Sequence, residues 1–203
     1  MLEQAEIKRI HAGLLKAGER RYRVILADPP WEGQDQGTRM SPAYTGGQRS
    51  VAHYRTLPIE VIKGLPVDRL CQDDALLFLW RLGCMQEEAL TVAWKWGFDI
   101  KTEIVWCKVS KTGRPRFGGG HYVRNAHEVC LVGARGRAAR LIRDRSVPSW
   151  FTAERGDHSR KPAACYELIE RLAEGPRLEM FATSVRAGWT SWGAKIGGLR
   201  SAQ

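Results

Sequence analysis

This 203-residue chain has no apolar run long enough to cross a bilayer, and Met1–Arg21 is polar and charged. Neither a membrane span nor a signal peptide is expected, which points to a soluble, cytoplasmic protein. The five cysteines, Cys71, Cys84, Cys107, Cys130 and Cys165, are widely spaced and lack any metal-ligand pairing. Most lie among apolar residues, so buried thiols in a reducing compartment are expected rather than disulfides. Acid is also scarce: 22 Asp and Glu stand against 32 Lys and Arg, a net charge of +10. That excess points to a polyanionic partner. The length suits one domain, residues 1–203, with an ample core.

The chain is organised around Tyr22–Trp31, YRVILADPPW. Val24–Ala27 is a continuous apolar run, the pattern of a parallel-sheet strand covered on both faces, so an α/β fold is expected. Asp28 ends the run, and Pro29 and Pro30 cannot extend a central strand. The turn therefore offers carbonyl acceptors without competing N–H donors. This suits methylation of an exocyclic amine, whose lone pair is delocalised into its ring until the nitrogen pyramidalises. Asp28 Oδ and the Pro29 carbonyl are candidate acceptors for its two hydrogens, and Trp31 a flat face for the base. The same four residues also suit a plain strand-terminating turn.

Asp28-Pro29-Pro30-Trp31 resembles the DPPW signature of the adenine-N6 methyltransferases, the family of the catalytic subunit of the eukaryotic messenger-RNA methyltransferase. Further stretches agree in the same order: DDALLFLW (Asp73–Trp80), IVWCK (Ile104–Lys108), RNAHEVCLVGARG (Arg124–Gly136), HSRKP (His158–Pro162), YELIERL (Tyr166–Leu172) and RLEMFA (Arg177–Ala182). The likeness covers about Tyr22 to Gly193. It implies a Rossmann-like class I methyltransferase fold with a doubly wound, mostly parallel sheet. The order is permuted, the catalytic motif preceding the cofactor motif. It also implies S-adenosylmethionine as methyl donor and nucleic acid as substrate, as in bacterial or phage members.

Residues 1–20 read as a polar, partly helical lead-in, a tethered arm. Two irregular segments, 32–55 and 108–124, are candidate substrate loops, since long loops inside a compact domain are usually functional or disordered. Tyr54 closes the first, where the family carries a Tyr near adenine and cofactor; packing on the next helix is the alternative. In the second, Lys108, Lys111, Arg114 and Arg116 lie among glycines with Phe117 and Tyr122, a composition suited to phosphates and bases. Arg124 and Asn125 follow, a pair that lies near the site in the family; a turn role suits Asn125 equally. Pro58–Leu70 and Met85–Trp96 have helical spacing, Ala75–Trp80, Ile100–Cys107 and Glu128–Ala134 strand patterns, and Ser146–Asp157 reads as a connecting loop anchored by Trp150 and Phe151. The basic run Arg135–Arg145 is expected to extend the phosphate track.

The last third is expected to bind the methyl donor. Pro162 suits the first turn of a helix over Ala163–Leu172, with Ser159 near its cap and Lys161 beside its exposed N–H groups, a ready carboxylate site. By resemblance Lys161 would bind the methionyl carboxylate. The strand Arg177–Ala182, interrupted by Glu179, is placed next to the one ending at Asp28, so that ligands meet at the strands' carboxyl ends. Asp28 would then face the cofactor's ammonium. Glu179, Phe181, Thr183, Ser184, Arg186, Gly193, Ala194 and Lys195 are the remaining cofactor candidates.

The family usually carries an Arg near Thr183 and Asn-Glu or Asn-Gln near Ala194-Lys195, which help hold the ribose. Arg186 is the candidate substitute, whereas the Ala194 side chain has no hydrogen-bonding atom. An active adenine-N6 methyltransferase, on DNA in preference to RNA, is the leading expectation. A non-catalytic nucleic-acid-binding member of the fold is the other. Monomer and homodimer are both compatible with the sequence.

Overall fold

β1 (Tyr22–Ala27) lies inside an eight-stranded sheet and is apolar on both faces, all its residues but Arg23 being buried. The computed structural model describes residues 3–32, 56–118, 122–154, 156 and 160–200. β1 pairs in parallel with β2 (Cys71–Arg81) and with β6 (Arg177–Met180), bringing Ala27 level with Leu79 and Met180. Beyond β2 come β4 (His127–Arg135) and β3 (Asp99–Val109), each antiparallel to its inner neighbour, then β5 (Trp150–Glu154), parallel to β3. Beyond β6 come β7 (Thr190–Gly193), parallel, and β8 (Gly198–Arg200), antiparallel. Only β4 and β8 oppose the common direction, so the sheet is mostly parallel and Rossmann-like. The strand ending at Asp28 and the strand expected to hold the cofactor are neighbours.

Strand alternation splits the core in two. Ile25, Ala27, Leu77 and Leu79 face one layer, with α1 (Gln4–Leu15), α2 (Ile59–Lys63), α3 (Val67–Leu70) and α4 (Gln86–Lys95). Val24, Leu26, Phe78 and Trp80 face the other, with α5 (Ala163–Leu172). The expected stripe Met85, Ala89, Val92 and Trp96 is buried throughout, and Trp96 donates its indole N–H to the Ile62 carbonyl at 3.0 Å. Each such large apolar side chain contributes about 1.5–3 kcal/mol on burial. Gly97 follows α4 at φ 83°, the left-handed turn that glycine adopts without a Cβ penalty.

Three expectations change. Residues 4–15 are not a tethered arm: Leu14 is fully buried, and Ile10 and Leu15 pack against the same core. Ser146–Asp157 is not only a loop, because Trp150–Glu154 forms the edge strand β5, registered on Val105–Val109. Its residues alternate between exposed and half-buried, so they show no apolar run. Phe151 packs against the core but Trp150 is exposed, so only one of the two is an anchor. Third, β4 runs backward and delivers Arg135 opposite Ala75, near the start of β2. The run Arg135–Arg145 thus lies on the edge opposite Asp28 and does not continue a phosphate track from the 108–124 loop. Gly136 makes that turn at φ 59°, where a Cβ would sit 2.3 Å from the Asp73 carbonyl oxygen.

Candidate active site

The chain leaves β1 at Asp28 and turns sharply. The Trp31 N–H donates to the Pro29 carbonyl at 2.8 Å, and the Leu57 N–H to the Pro30 carbonyl at 2.9 Å. One lone pair of the Pro29 oxygen is therefore already used, which corrects the expectation of an acceptor without competitors; the second lone pair remains. Trp31 also differs from expectation. It is 6% exposed, packs in the core and donates its indole N–H to the Trp80 carbonyl at 2.9 Å. Its ring pins the turn to β2 and offers no open face for a base.

Lys161, immediately before Pro162 at the N-cap of α5, reaches across to this turn. Its Nζ donates to Asp28 Oδ2 at 2.8 Å, lies 3.1 Å from Glu128 Oε2 and sits 4.9 Å from the centre of the Trp80 ring. Glu128 is shared: its Oε1 is 2.7 Å from Lys108 Nζ. Two acids and two ammonium groups thus form one chain along the sheet's exit edge. Burial pushes the Asp28 carboxyl above its usual range, with Lys161 pulling the other way. Burial also opposes ionisation of Glu128, but Lys161 and Lys108 override it and hold that carboxyl low. Lys161 is buried too, yet the Asp28 and Glu128 carboxylates raise its pKa and keep it charged.

The cleft beside this chain is lined by Leu26, Asp28, Trp80, Lys161, Tyr166 and Glu179, and closed by Met180, Phe181 and Thr183. Tyr166 donates to Glu179 Oε1 at 2.7 Å, and the Arg186 guanidinium lies 3.7 Å over the Tyr166 ring. Burial raises the Glu179 carboxyl, while Tyr166 and Arg186 act to lower it. Phe181 turns the chain over the cleft at φ 63°, a left-handed conformation costing a non-glycine residue about 1–2 kcal/mol. The open volume is about 10 Å³, room for roughly one water. A larger ligand requires the lining side chains to move.

The MT-A70 family model matches residues 22–195, most of the chain and all of this cleft. The chain belongs to the MT-A70 family. The type II methyltransferase M.MunI of Mycoplasma sp is 29% identical over 192 residues, which are 87% of this chain and 78% of that protein. A probable N(6)-adenosine-methyltransferase MT-A70-like of Oryza sativa is 32% identical over 188 residues, 88% of this chain and 24% of the relative. The human N(6)-adenosine-methyltransferase catalytic subunit METTL3 is 30% identical over 188 residues, 88% of this chain and 29% of the relative. The chain spans only about a quarter of these eukaryotic relatives.

Within this MT-A70 domain the expected residues separate into groups. Asp28, Lys161, Glu179, Phe181 and Thr183 meet in the cleft. Arg186 reaches it through Tyr166, whereas Ser184, Ala194 and Lys195 are exposed outside its lining. Gly193 has a packing role: it is buried, and a Cβ there would lie 2.2 Å from the Ala182 carbonyl oxygen. Lys108 is not an open phosphate ligand, being 12% exposed and bound to Glu128. Arg114, Arg116, Tyr122, Arg124 and Asn125 are exposed on the same edge, with Arg124 stacked 5.5 Å from the Phe117 ring. Tyr54 and Ser159 lie outside the described residues.

Sequence reasoning missed Glu128, Trp80 and Tyr166 as parts of the site. A single acid opening the apolar strand HEVCLVG was the available signal for Glu128. Trp80 read only as the end of its strand, and Tyr166 only as part of the stretch Tyr166–Leu172.

Proposed function

We propose that this protein transfers a methyl group from S-adenosylmethionine to N6 of adenine in DNA. The observation that carries the reading is the Asp28 carboxylate at the exit of β1, beside the remaining Pro29 lone pair and gripped by a lysine that Glu128 also holds. Two acceptors at the amine's two hydrogens favour the pyramidal, nucleophilic nitrogen. The raised pKa of Asp28 makes it a better proton acceptor near neutral pH, and the proton released by the amine passes to its Oδ.

The donor set fits the cofactor. Lys161 and the buried Trp80 indole N–H, which has no partner among the described residues, suit a carboxylate; Asp28 and Glu179 suit an ammonium. When bound, S-adenosylmethionine supplies an electrophilic methyl on a sulfonium. Lys161, kept paired by Glu128, would hold the cofactor carboxylate, and Asp28 would accept from the amine. In duplex DNA the adenine must leave the stack to reach this edge. DNA is preferred over RNA because the Mycoplasma type II methyltransferase is matched along 78% of its length, while the N6-adenosine enzymes are matched along about a quarter.

The test is incubation with methyl-labelled cofactor and single-stranded DNA, duplex DNA or RNA, followed by nucleoside analysis. Label in N6-methyldeoxyadenosine is expected. Label only in N6-methyladenosine from RNA would move the substrate, and no label in any adenine would overturn the reading.

A further inference from the structure

The Arg135–Arg145 run, displaced to the far edge of the sheet, helps form a second cleft. It is an open trough of about 540 Å³ lined by Arg20, Arg23, Arg137 and Arg140 together with Gln72, Asp73, Asp74 and Leu141. The acids here are structural. Asp73 accepts from Arg20 at 2.5 Å, and Asp74 accepts the backbone N–H of Arg137 at 2.7 Å, closing the Gly136 turn. Arg23 is turned to Gln72 at 2.9 Å. Arg137 and Arg140 are exposed, and their guanidiniums have no acceptor among the described residues. Arg137 is the N-cap of the 3₁₀ turn Ala138–Leu141, and Arg140 lies inside that turn. Both line the same trough.

We infer that this trough binds the phosphate backbone of the nucleic-acid substrate beyond the target base. Two exposed guanidiniums without an acceptor among the described residues are suited to the phosphates of a polyanion. The trough is open to solvent, which suits an extended polyanion better than a small enclosed anion. β1 separates it from Asp28 by six residues, about 20 Å, so only a strand that extends well past the target reaches both edges. The inference rests on the nucleic-acid reading above and adds a second contact surface to it.

The experiment is a salt titration of binding, by fluorescence anisotropy, with single-stranded DNA of 3 and 30 nucleotides carrying one central adenine. The short strand has one nucleotide on each side of its target, too few to span the length of β1 even when fully extended, and stays at the exit edge. Arg137→Ala/Arg140→Ala is expected to reduce the salt slope on the long strand by about 1.4, roughly a sevenfold smaller loss of affinity between 50 and 200 mM salt. Binding and methylation of the short strand are expected to stay at wild-type level, and Arg137→Lys/Arg140→Lys to keep most of the long-strand slope. Melting of each variant at the wild-type temperature establishes that it is folded. An unchanged slope on the long strand, or equal losses on both strands, would overturn the inference. If no strand is methylated by any form, the activity reading fails, and the length-dependent binding still decides this one.

Discussion

The two edges of the sheet carry the same sign of charge in opposite forms. At the exit edge Lys161 and Lys108, each 12% exposed, are locked between Asp28 and Glu128. At the far edge Arg137 and Arg140 stand in solvent around an open trough, and the nearby acids are occupied elsewhere. Buried charge without a partner is costly, so an ammonium kept at a reacting centre must be neutralised by neighbours that can later be exchanged. Exposed charge needs no such partner and acts on a polyanion by displacing counterions. On the proposed function, the ammonium held by acids marks the site of chemistry, and the basic surface alone does not.

The sharpest way to break this contrast is Asp28→Ala. Methyl transfer is expected to fall by about 10³-fold or more, while nucleic-acid affinity and the fold persist, because Glu128 still pairs Lys161. Wild-type turnover in radiolabel assays would deny the exit edge its role. Next in size is Lys161→Met, which leaves two carboxylates facing each other. Urea unfolding should show a loss of about 2–3 kcal/mol, less than for a fully buried pair because about a third of each acid meets water. Glu128, whose folded pKa is depressed, contributes stability above its unfolded value that is lost as pH falls through the folded one. The Lys161→Met deficit should therefore shrink toward acid pH; a pH-independent deficit would mean the pair is not coupled.

A smaller effect is in the pH profile. The Asp28 carboxyl is raised by burial, so it loses its charge at a higher pH than a free aspartate. The acid limb of kcat/KM is expected above about 3.9, and a limb at or below that value would contradict the assigned environment. Smallest is Arg114→Ala/Arg116→Ala on the exposed loop, which should weaken binding alike for all sequences and flatten the salt slope by about 1.4 on single strands. A sequence-selective loss at constant slope would place these residues against bases instead.

Much of this was legible beforehand, for identifiable reasons. Val24–Ala27 is apolar on both faces and so reads as a central strand, and the stripe Met85, Ala89, Val92 and Trp96 repeats at helical spacing. The pairing of β1 with β6 follows from where ligands bind on parallel sheets. What stayed hidden depends on strand direction and on partners distant in sequence. Nothing in HEVCLVGAR says that β4 runs backward, yet that reversal carries Glu128 to the exit edge beside Asp28 and Arg135 to the other. Trp31 has the composition of a stacking platform, and only the position of the Trp80 carbonyl shows it to be a core clamp.

Asp28 and Lys161 are separated by 133 positions in the chain. Joining them closes a loop over most of the polypeptide, a non-local contact of the kind that slows folding. During synthesis the Asp28 turn emerges long before the lysine that neutralises it, so a nascent or truncated chain ending before Lys161 exposes a carboxylate without that partner. Lys161 follows β1–β5 and precedes β6–β8, so the pair can form only after five of the eight strands have been made.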